Sequence, residues 1–314
     1  MKKTFIIFMV LFLIGLTGAN CKAESTNINI DKTNFPGESL RRYILKDIDI
    51  NKDGLLSDKE CADVKCIVID NPSIAEDDEL DKKSDYDKLS EEEKNIRYHM
   101  IDLSGLQNFP NLEDLTLIAG DKFINLNVIA KIKKLKSLTL GGSFNSINYN
   151  LAKLKNLRSL SLKEMDCKNV TIKGNSKLSK VDLYMVKANK IAINNNKKLK
   201  KITTEFLRIK NFQCKNNKLL KGMEIYGDDR SFGTYKKSNS IKKMYIHNNP
   251  KLKSIDIRYF KKLKKVDLVK NKNLRALELA CTPSLKKVFL RKNKSSRKLK
   301  VEKNGQKIKI YKNK

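Results

Sequence analysis

From residue 106 onward the chain repeats one pattern, L-x-x-h-x-h, in which h is apolar. It stands as Leu112/Leu115/Leu117, Leu135/Leu138/Leu140, Leu157/Leu160/Leu162, Leu178/Val181/Leu183 and Leu199/Ile202. It continues as Leu220/Met223/Ile225, Ile241/Met244/Ile246, Leu263/Val266/Leu268 and Leu285/Val288/Leu290. The first residues of these sets are 23, 22, 21, 21, 21, 21, 22 and 22 apart. Each h-x-h reads as a short strand with alternate side chains turned in and out. One such coil cannot bury its own apolar face, whereas stacked coils share a continuous core and contact only their neighbours.

Self-similarity at this period is the mark of a leucine-rich repeat. The expected fold is therefore a right-handed leucine-rich-repeat solenoid, a parallel β-sheet with short or no convex helices. Extra half-repeats at Leu252/Ile255/Ile257 and Leu274/Leu277/Leu279, with weaker counterparts at Val170/Ile172 and Ile191/Ile193, predict strands on two sides of each coil. Which half faces which side after the polar interruption Tyr226–Ser238 stays open, and a half-coil slip there would move every later surface residue. The Asn usual after each strand is mostly missing. Asn instead recurs three residues before the next Leu, at Asn175, Asn196, Asn217, Asn249 and Asn271, where a buried amide would satisfy the backbone of the turn. Residues 295–314 read as a β-hairpin around Asn304-Gly305, a polar lid on the last coil.

The other end differs. Met1-Lys2-Lys3, an apolar run from Phe5 to Leu16 and small residues at Thr17-Gly18-Ala19 form the three parts of a secretory signal peptide. Residues 1–23 are assigned to it, with Cys21 as an alternative lipid anchor. The run is shorter than the roughly 20 apolar residues of a membrane span, and no transmembrane segment is expected in the mature chain. Five cysteines remain without a C-x-x-C pair; Cys61 and Cys66 either bridge or stay free.

Residues 24–66 read as a small α-helical EF-hand-like cap. Asp49 to Glu60 fits the twelve-residue calcium loop. Asp49, Asn51 and Asp53 supply oxygens at positions 1, 3 and 5, and Gly54 makes the turn. Leu55 offers its carbonyl, Ser57 a water-holding hydroxyl, and Glu60 a closing carboxylate. One Ca2+ ion is the expected cofactor. Residues 67–105 then hold a first strand and an acidic inserted loop, Glu76–Glu93, and 106–294 hold the repeats.

Charge divides the 314 residues. Glu24 to Pro110 carries 21 acidic and 12 basic residues, and Asn111 to Lys314 carries 14 and 52. Cations precede nearly every strand, and stacked strands about 4.8 Å apart lie well inside the Debye length of about 8 Å. Lys180, Lys200, Lys201, Lys221, Lys242, Lys243, Lys264, Lys265, Lys286 and Lys287 are accordingly candidates for binding a polyanion. The outward strand positions Thr116, Thr139, Ser161, Asp182, Thr203, Glu224 and Tyr245 form the candidate partner surface. Nucleic acid ranks low, for lack of a recognition motif or evident stacking platform.

The chain resembles secreted EF-hand-containing leucine-rich-repeat proteins of Gram-positive bacteria, in an internalin-like layout. The resemblance rests on Asn34-Phe35-Pro36, the loop Asp49–Glu60, the run from Asp102 to Leu112 and the repeats. It implies a surface-exposed binding role towards host or envelope components, without catalysis. The expected product is a secreted or surface-bound monomer. No G-x-S-x-G, H-E-x-x-H or glycine-rich phosphate loop occurs, and His99 and His247, the latter read as an exposed turn residue, lie far apart. Two other classes stay open: passive adsorption to an anionic wall polymer, and a polysaccharide-acting enzyme.

Overall fold

A computed structural model describes residues 27–70, 100–118, 122–142, 148–150, 154–228, 240–293 and 299–312. The expected signal peptide (residues 1–23), with Cys21, the acidic stretch Glu76–Glu93 and His99 lie outside the described residues.

The chain begins with a cap: β1 (Ile28–Asn29), α1 (Glu38–Asp47), β2 (Leu55–Leu56) and α2 (Asp58–Asp63), with β1 and β2 antiparallel. Leu40 and Ile44, four apart on one face of α1, are buried with Phe35, Leu56 and Cys61. Phe35 stacks on Phe109 at 6.4 Å, which docks the cap on the first coil. A side chain at Gly37 would meet the Asp102 carbonyl at 2.3 Å, so only glycine permits this approach.

The coils follow. The first are β3 (Cys66–Asp70), β4 (Met100–Asp102), β5 (Asp114–Ile118), β6 (Lys122–Ile124), β7 (Ser137–Gly141) and β8 (Asn148–Asn150). Then come β9 (Ser159–Lys163), β10 (Asp166–Lys173), β11 (Lys180–Tyr184), β12 (Lys187–Asn194) and the long β13 (Lys201–Lys215). The last are β14 (Gly222–Gly227), β15 (Lys243–His247), β16 (Ser254–Arg258), β17 (Lys265–Val269), β18 (Ala276–Ala280), β19 (Lys287–Arg291), β20 (Lys300–Glu302) and β21 (Lys309–Lys312).

Pairing is parallel throughout the coils and sorts all of their strands but β4 and β6, which pair only with each other, into two ladders. The front ladder runs β3, β5, β7, β9, β11, the first part of β13, β14, β16, β18 and β20. The back ladder runs β8, β10, β12, the second part of β13, β15, β17, β19 and β21. The inward residues of both ladders fill one core, continuous from Phe35 to Ile308. The fold is thus a parallel-strand solenoid with strands on two sides of each coil. Helical turns in the first coils are short: Leu106–Asn108 and Leu126–Lys131.

One open point is settled and one expectation needs correction. The first is the side on which the chain lies after Tyr226. β14 pairs with β16, not β15, so Ile241/Met244/Ile246 belongs to the back. Stacked corner asparagines are 21 or 22 residues apart elsewhere, but 32 separate Asn217 from Asn249. The surplus matches half a coil, so the leucine spacing runs on unbroken while the chain changes face.

The second is the terminal hairpin. β20 pairs in parallel with β18, and β21 with β19. Val301 continues the column of Leu277, and Ile310 that of Val288, so the two arms lie on opposite faces. Asn304 and Gly305, at φ 45° and 77°, form the corner between them. The five cysteines among the described residues are free, Cys61 and Cys66 included. Burial pushes the Cys167 and Cys214 thiols up to about 12, which makes them inert.

Candidate functional site

The front ladder aligns its outward residues in register: Val68, Thr116, Thr139, Ser161, Asp182, Thr203, Glu224, Asp256, Glu278 and Glu302. Six of the seven expected partner residues therefore stand in one row. Tyr245 does not: it lies opposite Gln213 and Asp267 on the back. Its place in the row is taken by Asp256, followed by Glu278 and Glu302. A signal for this was present. Asn217 and Asn249 each stand three residues before the Leu that opens a front strand, whereas Ile241 has Ser238 there.

The row changes character along its length. Hydroxyls dominate the first coils and carboxylates the last. Thr203 Oγ1 donates to Asp182 Oδ1 at 2.8 Å. Lys201 pairs with Glu224 at 2.9 Å, and Lys180 approaches Asp182 at 3.9 Å. In the last coils Gly222, Ser254 and Ala276 occupy the column that Lys180 and Lys201 fill earlier. The small residues open a groove of about 370 Å³ between Glu224, Tyr226, Asp256, Glu278 and Glu302, closed at its far end by Lys300, which pairs with Glu302.

Ion pairs fix its walls. Arg258 Nε reaches both oxygens of Asp256 at 2.9 and 3.0 Å, and its Nη2 donates to Glu278 at 2.6 Å. These bonds raise the Arg258 pKa further. Tyr226 donates its hydroxyl to Asp256 at 2.8 Å, and burial together with that carboxylate pushes its pKa up to about 12. A phenol so held stays protonated. With Asp256 and Glu278 both bonded to one guanidinium, the groove is an arrangement for binding rather than proton transfer.

Beside the groove runs an aromatic rim that sequence reasoning missed. Tyr184 meets Phe206 edge-on at 5.6 Å, and Tyr226 meets Tyr259 edge-on at 6.3 Å. Phe206 and Tyr259 sit at φ 53° and 65°, left-handed backbone unusual for bulky residues, and no local pattern announces it.

The cationic candidates divide between the faces. Lys180 and Lys201 lie on front strands, and Lys200 and Lys221 in the turns leading into them. Lys243, Lys265 and Lys287 open back strands, with Lys242, Lys264 and Lys286 just before them. They form two surfaces, not one. His247 is corrected too. It ends strand β15, and its side chain is only 24% exposed.

In the cap, Asp49 is 3% exposed. Its Oδ2 accepts from Gly54 N at 3.0 Å, and its Oδ1 is buried without a hydrogen-bond partner. Lys52 and Gly54 take φ 58° and 77°, curling the loop around that carboxylate. Asp53 accepts from Leu55 N at 2.8 Å and Asn51 Nδ2 at 2.8 Å. Ser57 caps α2, and Glu60 accepts from Ser57 N at 2.9 Å and Ile50 N at 3.1 Å. The Ser57 bonds, backbone first, hold the Glu60 pKa below its usual value. Among the described residues no three His, Cys, Asp or Glu side chains converge as a ligand cluster. The loop nevertheless fits a hard cation by donor type: a buried orphan carboxylate oxygen, two further acids, an amide oxygen and a backbone carbonyl.

No family model and no curated protein matches the chain. Solved structures do. An internalin (InlF) from Listeria monocytogenes str. 4b F2365 aligns at 13% identity over 88% of this chain and 97% of that one, with a TM-score of 0.35. The functional domain of InlJ from Listeria monocytogenes aligns at 11% over 86% and 72%, with a TM-score of 0.37. That domain of InlJ includes a cysteine ladder. Likeness this loose adds nothing to the solenoid that the strand pairings already establish. No described helix is long and apolar enough to cross a membrane.

Proposed function

We propose that the chain is an exported, surface-bound or secreted binding protein that recognises a host or envelope protein through its front ladder. The supporting observation is the groove with its rim. Tyr226 and Arg258 border a concave acidic floor, and such aromatic and arginine residues dominate protein-binding energetics. The preferred partner surface is a basic loop or strand. Its charges meet Glu224 and Glu302, and its apolar parts rest on Tyr184 and Phe206. The export signal in the sequence supports the location.

Capture of partners from host and bacterial surface fractions tests this, comparing the wild type with Glu224→Lys/Glu302→Lys. Both residues carry surface ion pairs of small value, so the variant should fold. A partner held equally by both proteins would move recognition off this face.

The cap is proposed to bind one Ca2+ ion, with Asp49, Asn51, Asp53, the Leu55 carbonyl, Ser57 through water, and Glu60 as its ligands. The ion would supply countercharge to the buried Asp49 and brace the cap against the first coil. Titration calorimetry compares the wild type with Glu60→Gln; equal heats would dismiss the loop as the site.

A further inference from the structure

The back ladder of the last coils carries a surface of different chemistry. Lys243, Lys265, Lys287 and Lys309 stand directly opposite one another in register. Neighbours in this column are about 4.8 Å apart. Like charges placed directly opposite destabilise a sheet. Among the described residues no carboxylate forms an ion pair with Lys243, Lys287 or Lys309.

The acid nearest the column is already committed. Asp267 is 3% exposed and receives Arg291 Nη2 at 2.7 and 2.9 Å, with Lys265 at 3.7 Å and His247 at 3.9 Å. Over residues 242–247, 264–269, 286–291 and 308–312, nine Lys and Arg stand against Asp267 alone. On the front of the same coils, residues 221–226, 253–258, 275–280 and 299–302, five stand against four carboxylates. The excess belongs to the back.

Two further features narrow the ligand. Phe289 and Tyr311 stack face to face at 4.7 Å and 8°. Lys265 lies 4.3 Å from the Phe289 ring centre, and Lys309 lies 5.2 Å from that of Tyr311. The ring faces are thus occupied, leaving little on which a nucleic-acid base can stack. The column is also made of ammonium groups. These are point charges suited to single anionic oxygens in a line, whereas guanidinium forks favour bidentate partners.

We propose that this column binds a linear phosphate polymer without bases, laid along the solenoid axis across β15, β17, β19 and β21. The site is separate from the front groove and does not depend on it.

The test titrates the full chain with two probes, poly(glycerol phosphate) and inorganic polyphosphate, beside poly-dT and heparin. Four neutralised charges predict that raising salt from 50 to 200 mM weakens wild-type binding about a hundredfold. Lys243→Ala/Lys287→Ala/Lys309→Ala leaves the partners of Asp267 in place and removes repulsion, so it should melt no lower than the wild type. Its affinity at 50 mM should fall at least about tenfold, and its salt effect should shrink to about fourfold. Tighter binding of one phosphate probe identifies the source of the polymer. An unchanged salt dependence in the triple variant would overturn the proposal, as would a wild type that prefers poly-dT or heparin.

Discussion

The coil turns twice, once after each ladder, and the two corners share a backbone while differing in chemistry. Each places a residue at positive φ and buries the next one. After the back strands the left-handed positions are Gly174, Asn195, Asn216, Asn248, Lys270 and Lys292, and the buried followers are Asn175, Asn196, Asn217, Asn249, Asn271 and Asn293. After front strands they are Glu164, Met185, Phe206, Tyr259 and Cys281, followed by Met165, Val186, Leu207, Phe260 and Thr282. One corner is an amide ladder and the other is mostly apolar.

The amide corner is directional. Asn196 N donates to Asn217 Oδ1 at 3.0 Å, Asn217 N to Asn249 Oδ1 at 3.0 Å, and Asn249 N to Asn271 Oδ1 at 3.0 Å. The Asn217 amide also donates back to the Ile193 carbonyl at 2.9 Å. Each side chain therefore satisfies backbone groups of the preceding coil. At the apolar corner backbone pairs do this themselves, as between Arg208 N and the Val186 carbonyl at 3.0 Å. Side chains there contribute packing alone from Met165 to Phe260; at the last such corner Thr282 N and Oγ1 donate to Gln306 Oε1 at 3.0 and 2.8 Å. Amide pairing fixes the stacking partner, while apolar packing tolerates exchange of shape.

The largest expected effect follows directly. Asn217→Ala leaves Asn196 N and the Ile193 carbonyl buried without partners, at about 1–3 kcal/mol each. A loss of about 4 kcal/mol should appear in urea unfolding. Leu207→Ala, at the opposite corner, removes packing only and should cost about 3 kcal/mol. The sharper contrast lies in the isosteric exchanges: Leu207→Met should cost under about 1.5 kcal/mol, whereas Asn217→Leu should be as damaging as Asn217→Ala. Comparable tolerance at both corners would erase the distinction.

These corners also explain what the sequence revealed and what it hid. The L-x-x-h-x-h period follows from stacked strands, and it located β5, β7, β9, β11, β14 and their core residues. It does not say which side a strand is on, because both ladders bury the same alternating residues. Only Asn three residues before Leu carries that information. The spacing of 21 between Leu220 and Ile241 concealed the change of side that put Tyr245 on the back. Asn304-Gly305 was read as a hairpin because turn chemistry is local, while the columns that Val301 and Ile310 join are not. The loop from Asp49 to Glu60 was legible as a list of donors. The capping role of Glu60 and the orphaned oxygen of Asp49 depend on how the loop closes, which spacing does not specify.

A smaller effect concerns the left-handed residues. A non-glycine side chain there costs about 1–2 kcal/mol. Lys270→Gly relieves this at an exposed site and should raise stability by about 1 kcal/mol. At Tyr259→Gly the same relief is offset by loss of the edge-on contact with Tyr226, worth about 0.5–1.5 kcal/mol beyond area. Its melting temperature should barely move. A clear gain at Tyr259 would mean that the aromatic rim adds nothing to the front corner.

The smallest effect is electrostatic and sits at the end of a back strand. Burial holds the His247 pKa below its usual 6.5, opposed by Asp267 at 3.9 Å and reinforced by Lys215 and Arg291. The other cation near Asp267 is Lys265, across the same cluster. The folded chain therefore binds this proton less readily than the unfolded chain does. Stability at this site is fully present above pH 6.5 and declines as the pH falls below that value. His247→Gln should remove this part of the decline, measured as unfolding midpoints between pH 7.5 and about 5. No counterpart is expected from the front groove, where Tyr226 titrates far above this range. Equal slopes for His247→Gln and the wild type would place the imidazole in water and remove this difference between the two faces.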